Sequence, residues 1–172
     1  MRVGLVLPLS LVLTSARPAV SSGQQTVTQQ AIAQRDQMVR STVNALLDQY
    51  NAWFMAGRAD SIANRIYLAP LIWLADNRVS VFSSRDEIRQ QFEAISRTLM
   101  ADGYARSDWS LRNICVLGDN AAILSGRFAR YRKDGSKIGD YAATYTFAKT
   151  PDGWRIASIA LHAPDRVIQC SS

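Results

Sequence analysis

The feature that most constrains the fold is a change of hydrophobic period at Asp102-Gly103. Before it, apolar residues recur every three or four positions, as on one buried helix face. After it, side chains alternate with period two, as on a strand. Three turn clusters cut this second part into four segments: Gly118-Asp119-Asn120, Asp134-Gly135 and Pro151-Asp152-Gly153. The segments read as strands Tyr104–Leu117, Ala121–Arg132, Lys137–Lys149 and Gly153–Asp165, an antiparallel meander.

The first part reads as helices with one hairpin between them. A helix from about Gln37 to Ala56 carries Val39, Val43, Leu46, Leu47, Tyr50, Trp53 and Phe54 on one face. Gly57 closes it. Asp60 caps a short helix running to Tyr67, which Pro70 ends. Strands Leu71–Ala75 and Arg78–Phe82 flank the turn residues Asp76-Asn77. Ser84 to Glu87 forms a capping box, and the helix it opens carries Ile88, Phe92, Ile95 and Leu99 to about Ala101. Helices set apart from a mostly antiparallel sheet define an α+β class. At 172 residues the chain fits one domain with a substantial core.

The N-terminus has the layout of a secretory signal peptide. Arg2 precedes an apolar run from Val3 to Leu13, and small residues follow at Ala16, Ser21, Ser22 and Gly23. That run is shorter than the ~20 residues of a membrane-spanning helix, so no stable span is expected. The alternative is translation from Met38. The resulting organisation is a leader over 1–23, a polar spacer or frayed helix over 24–37, a domain over 38–168 and a tail over 169–172. Periplasmic or secreted protein is the expected product. Cys115 and Cys170 would then meet an oxidising compartment, and whether they pair stays open at this stage.

Charge excludes some functions. The formal net charge is +6, and removal of Arg2 and Arg17 with the leader leaves +4. Such an excess does not point to nucleic acid, which calls for basic grooves interleaved with aromatics. Arg127, Arg130, Arg132, Lys133 and Lys137 cluster on the meander, and read as a solvated sheet face and turn. One histidine and two distant cysteines lack metal-ligand spacing, so no metal or other cofactor is expected. Alternation along the last strand puts Trp154, Ile156, Ser158, Ala160 and His162 on one face. Small residues followed by the single histidine would form a cavity floor there.

The order of elements resembles the nuclear transport factor 2-like superfamily, which includes SnoaL-like cyclases and ketosteroid isomerases. The resemblance spans about Val39 to Val167. It rests on Leu46-Leu47-Asp48-Gln49-Tyr50 through Ala56–Ile62, on Ser84–Glu87 and on Asp152-Gly153-Trp154-Arg155-Ile156. It implies a curved sheet that wraps the long first helix into a cone with a pocket, and a homodimer through the meander. Against the ketosteroid isomerase pattern, Tyr50 takes the place of the oxyanion-hole tyrosine. The general-base position falls at Leu74 or Ala75, one residue from Asp76. The protonated-acid position falls at Ala143. Both carboxyls of the isomerase mechanism are thus missing.

The resemblance leaves His162 and Tyr50 as candidate catalytic residues, the first for proton transfer and the second as a hydrogen-bond donor to an oxygen. Phe54, Tyr67, Trp73, Tyr145, Ser158 and Ala160 are the expected pocket lining. Trp109 and Arg106 are assigned to the dimer face. The expected ligand is a small apolar or amphipathic molecule. Two functions are carried forward: lyase, isomerase or hydrolase chemistry in an apolar pocket, and a non-catalytic ligand carrier or accessory protein-interaction subunit.

Overall fold

Helix α1 (Ser22–Met55) buries Val39, Val43, Leu47, Tyr50 and Phe54 along one stripe. The computed structural model describes residues 22–75 and 77–170. The expected leader therefore lies almost wholly outside the described residues, as does Asp76. The helix starts well before Gln37. Its first half is rich in the helix formers glutamine and alanine but has no apolar stripe, so periodicity could not detect it.

Helix α2 (Ala59–Arg65) follows, and Gly57 between the two helices adopts φ +65°, a left-handed conformation that suits glycine. Asp60 is not the cap expected of it. It lies inside the first turn and its Oδ1 accepts from Asn64 Nδ2 at 3.0 Å. Strand β1 (Tyr67–Ala75) includes Pro70 and begins earlier than expected; β2 (Arg78–Phe82) matches its expected bounds. Helix α3 (Arg85–Ala101) opens on the anticipated capping box. Ser84 Oγ accepts from Glu87 N at 3.2 Å, and Glu87 Oε2 reaches back to Ser83 N at 2.8 Å.

Strands β3 (Tyr104–Val116), β4 (Ala121–Arg132), β5 (Lys137–Thr150) and β6 (Gly153–His162) form the meander. The six strands make one sheet in the order β2-β1-β6-β5-β4-β3, with β1 parallel to β6 and every other pair antiparallel. This is the expected α+β architecture. Register shifts interrupt β1–β6, β3–β4, β4–β5 and β5–β6. Each such bulge bends its strand and adds twist, which curves the sheet around α1. At the β3 bulge between Trp109 and Leu111, the neighbouring strand carries Gly126. A Cβ there would stand 2.4 Å from the Leu111 carbonyl and 2.8 Å from the Trp109 ring. Only glycine allows Trp109 to lie flat against β4.

Charged side chains fasten α1 to β3. Arg112 Nη1 meets Asp48 Oδ1 at 2.6 Å, and Arg40 donates to the Ile114 carbonyl. On the opposite, outer face of the sheet, β1 and β2 leave Ile72, Leu74, Val79 and Val81 exposed. No helix among the described residues is long and apolar enough to cross a membrane.

After β6 the chain crosses the outer face of the sheet. Asn113 Nδ2 donates to the Ile168 carbonyl at 3.1 Å, and Ile168 N–H donates to Ser125 Oγ at 3.0 Å. A Cys115–Cys170 disulfide, with Cα atoms 5.5 Å apart, then anchors the tail to β3. The bridge closes a loop of sequence separation 55. Reduction, or Cys170→Ser, is expected to lower unfolding free energy by about 2–4 kcal/mol. Denaturant melts of oxidised and reduced protein check this, and an unchanged midpoint would refute it.

Candidate functional site

Where the stripe of α1 ends, helix and sheet diverge and leave a cavity of about 480 Å³. Helix α1 contributes Tyr50, Asn51 and Phe54. The β1–β2 hairpin contributes Trp73, Ala75, Arg78, Ser80 and Phe82, and α3 contributes Gln91 and Ile95. The sheet supplies Ser107, Trp109, Phe128, Arg130, Tyr145, Ile159 and Leu161. Alternation within each strand selects these residues. On β4, for example, Leu124, Gly126, Phe128 and Arg130 share the concave face.

Aromatic edges and faces hold the walls. Tyr50 packs edge-on against Tyr67 at 5.7 Å, Phe92 at 6.0 Å and Tyr145 at 6.4 Å. Trp109 lies 4.7 Å from Phe128, which stacks on Tyr141 at 5.5 Å. Burial pushes the Tyr50 phenol up to about 12, although the neighbouring Tyr67 hydroxyl and Arg130 both pull it down. Burial also raises Tyr67 and Tyr145 well above the ordinary tyrosine value. All three hydroxyls are therefore neutral near pH 7. The Tyr67 hydroxyl is close enough to Tyr50 to affect its ionisation, yet its geometry meets no hydrogen-bond partner.

Of the expected lining, Tyr50, Phe54, Trp73 and Tyr145 face the cavity. Tyr67 does not: it sits one layer deeper, 2% exposed, beneath Tyr50 and 5.1 Å from Phe92. Ser158, Ala160 and His162 lie on the other side of the sheet. Thr146 pairs with Ser158 while Phe147 pairs with Ile156, so Ala157 is an extra residue without an opposite partner. One inserted residue reverses the facing of everything after it. Trp154 and Ile156 point into the core as expected, but beyond the bulge Ile159 and Leu161 take the cavity face. Strict alternation from Trp154 had assigned that face to His162.

His162 instead joins a chain of hydrogen bonds on the outer face. Its Nδ1 lies 3.0 Å from the Ala163 carbonyl, which can only accept, so Nδ1 carries the proton. In the neutral ring, Nε2 accepts from the Thr144 hydroxyl at 2.9 Å. Thr144 Oγ1 accepts from Ser125 at 2.7 Å, and Ser125 accepts from Ile168 N–H. The histidine thus braces the same tail that the disulfide anchors. Ser158 hydrogen-bonds Thr146 at 2.6 Å.

Two other expectations are corrected. Trp109 belongs to the cavity wall rather than to a dimer face, because the β3 bulge and Gly126 draw it inward. Arg130 is not part of the solvated basic cluster. It turns into the cavity with its Nε buried and without a hydrogen-bond partner. The available signal was its period-two relation to Leu124 and Phe128, which puts a cation on an apolar strand face. No Asp, Glu, His or Cys lines the cavity among the described residues. Those residues also contain no cluster of three or more such groups arranged to hold a metal ion.

The buried phenols have a consequence at alkaline pH. The unfolded chain loses its tyrosine protons near pH 10, whereas the folded protein holds those of Tyr50, Tyr67 and Tyr145 to higher pH. Their contribution to stability is complete below pH 10 and is lost as pH rises above it, at about 1.4 kcal/mol per pH unit for each phenol. Denaturant melts between pH 8 and pH 11 should show this fall, shallower in Tyr145→Phe. Equal slopes in the two proteins would contradict it.

The family model described as NTF2-like protein (DUF6841) matches residues 36–164. No curated protein matches the sequence. Similar solved structures include an NTF2-like protein with a cystatin-like fold from Novosphingobium aromaticivorans, at 18% identity and TM-score 0.63, covering 87% of this chain and 94% of that one. A putative calcium/calmodulin dependent protein kinase II association domain from Xanthomonas campestris is 22% identical with TM-score 0.53, over 92% and 100% of the two chains. An NTF2-like superfamily protein from Salmonella enterica serovar Typhimurium is 19% identical with TM-score 0.55, over 75% and 93%. At these identities the likeness is one of fold.

Proposed function

The chain belongs to the NTF2-like protein family (DUF6841), and from that premise we propose that it is a binding domain for a small amphipathic molecule held in the cone. The observation that carries this reading is the cavity itself. Its volume of about 480 Å³ falls in the ~300–1,000 Å³ range of small-molecule sites. Its walls are aromatic and aliphatic, with a few convergent polar groups.

The composition of the lining favours a carrier over proton-transfer chemistry. General acid–base catalysis works best with a group whose pKa lies near the operating pH. Tyr50 is far above it, pushed up to about 12 by burial. His162, the candidate from sequence, lies across the sheet from the cavity. Tyr50 keeps the role of a neutral hydrogen-bond donor to a ligand oxygen.

Trp73 and Trp109 line the cavity, while Trp53 and Trp154 do not. Titration with uncharged amphiphiles such as decanol is expected to change tryptophan emission saturably. The change should disappear in the double variant Trp73→Phe/Trp109→Phe. The absence of any saturable response across uncharged alcohols, amides and ketones would overturn the reading.

The proposal extends to export and self-association. Export is supported by Arg2, the apolar run and the small residues that follow, and by a disulfide suited to an oxidising compartment. A homodimer through the outer face of the sheet is supported by Ile72, Leu74, Val79 and Val81, which stand exposed on β1 and β2 beside the meander. Native mass spectrometry of protein recovered from the periplasm or medium tests both. The expected species is a dimer whose subunits begin after Ala16, Ser21 or Gly23, and which becomes monomeric in Val79→Arg. Full-length subunits would refute export, and a monomeric wild type would refute the dimer.

A further inference from the structure

Among the described lining residues, Arg130 carries a buried side-chain polar atom, its Nε, without a hydrogen-bond partner. It emerges from β4 beyond Phe128, on the face that otherwise packs against α1. It forms no ion pair among the described residues, and its buried Nε has no hydrogen-bond partner. Its guanidinium is flanked by the faces of Tyr141 at 4.7 Å, Phe54 at 5.5 Å and Phe128 at 5.6 Å. These rings stabilise the cation and fix its plane, but they accept no directed hydrogen bonds.

The side chain is half-buried, and the further a cation is withdrawn from water the more it gains from a counter-charge. The described lining supplies none, since it contains no Asp or Glu. A second arginine, Arg78, stands exposed on β2 and also lines the cavity. Both lining cations thus act in the same sense on the enclosed space. The field of Arg130 reaches the cavity's phenols: it lowers the pKa of Tyr50 and Tyr145 against the opposing effect of burial.

We propose that the cavity selects a monoanionic carboxylate with an apolar body, its headgroup on Arg130 and its body along the aromatic wall of Trp73, Trp109 and Phe128. This deepens the binding function above and rests on it. The geometry of a guanidinium matches a carboxylate, with two parallel N–H donors to two oxygens. Such a pair would supply the counter-charge that the described lining lacks. One cation held by three rings suits a single negative charge, and the remaining volume is apolar. Arg78 at the mouth would assist entry, as an exposed charge affects encounter more than final affinity.

The test compares phenylbutyrate with its uncharged amide by isothermal titration calorimetry at neutral pH, in wild type, Arg130→Gln, Arg130→Lys and Arg78→Gln. Wild type is expected to bind the carboxylate at least about tenfold more tightly than the amide. Arg130→Gln should abolish that preference. Arg130→Lys should keep part of it, and Arg78→Gln most of it. The wild-type comparison alone is decisive if Arg130→Gln does not fold. Equal binding of acid and amide by wild type would overturn the carboxylate assignment and leave the cavity reading standing. A preference that survives in folded Arg130→Gln would do the same. Failure of wild type to bind either compound, or decanol, would overturn both.

Discussion

Helix α1 buries Val43 and Leu47 completely against the concave side of the sheet, with Val39, Tyr50 and Phe54 nearly so. Each aliphatic or aromatic side chain removed from water in this way contributes about 1.5–3 kcal/mol. A flat sheet could meet a helix only along a line. The register shifts in β1, β3, β5 and β6 let the strands bend around α1 and enclose its stripe from several directions. Helices α2 and α3 then close one side, where Ile62, Ile88 and Phe92 are buried. Curvature is the condition for a single core in this molecule.

The same curvature creates the cavity. A sheet that wraps a helix at one end diverges from it at the other, and the side chains there are not large enough to fill the gap. Tyr50, Trp109, Phe128 and Tyr145 line the space and pack against one another. Burial then sets the chemistry. It holds the phenols neutral, so that the charges on the described walls are the Arg130 and Arg78 cations. Among the described residues the enclosure is positive and aromatic, with no Asp, Glu or His in its walls.

The outer face has a different logic. Polar side chains of β4, β5 and β6 form a connected row there: Ser125, Thr144 and His162. The C-terminal segment is laid across this row and bonded to Ser125 and Asn113 before Cys170 reaches Cys115. A sheet face that would otherwise be open is thereby partly covered by the chain's own tail. The exposed apolar residues lie away from it, at the β1–β2 edge.

Much of this was legible in the sequence. The capping box at Ser84, the turns at Gly135 and Gly153 and the stripe Ile88-Phe92-Leu99 are local signals, and each specified its element. Tyr50, Phe54, Trp73 and Tyr145 followed from the family resemblance. His162, Ser158 and Ala160 were assigned to the wrong face because a one-residue bulge at Ala157 has no local signature. Its cause lies in the pairing of β6 with β5. Arg130 was read as solvated because its neighbours Arg132 and Lys133 are basic, although its strand face was already apolar. By itself the sequence determined element type and order, which depend on contacts within a few residues. Tertiary structure alone decided which face of β6 meets the cavity, that Cys170 reaches Cys115 and that Arg130 turns into the cavity with no ion pair among the described residues. Those outcomes depend on the register and curvature of strands far apart in the chain.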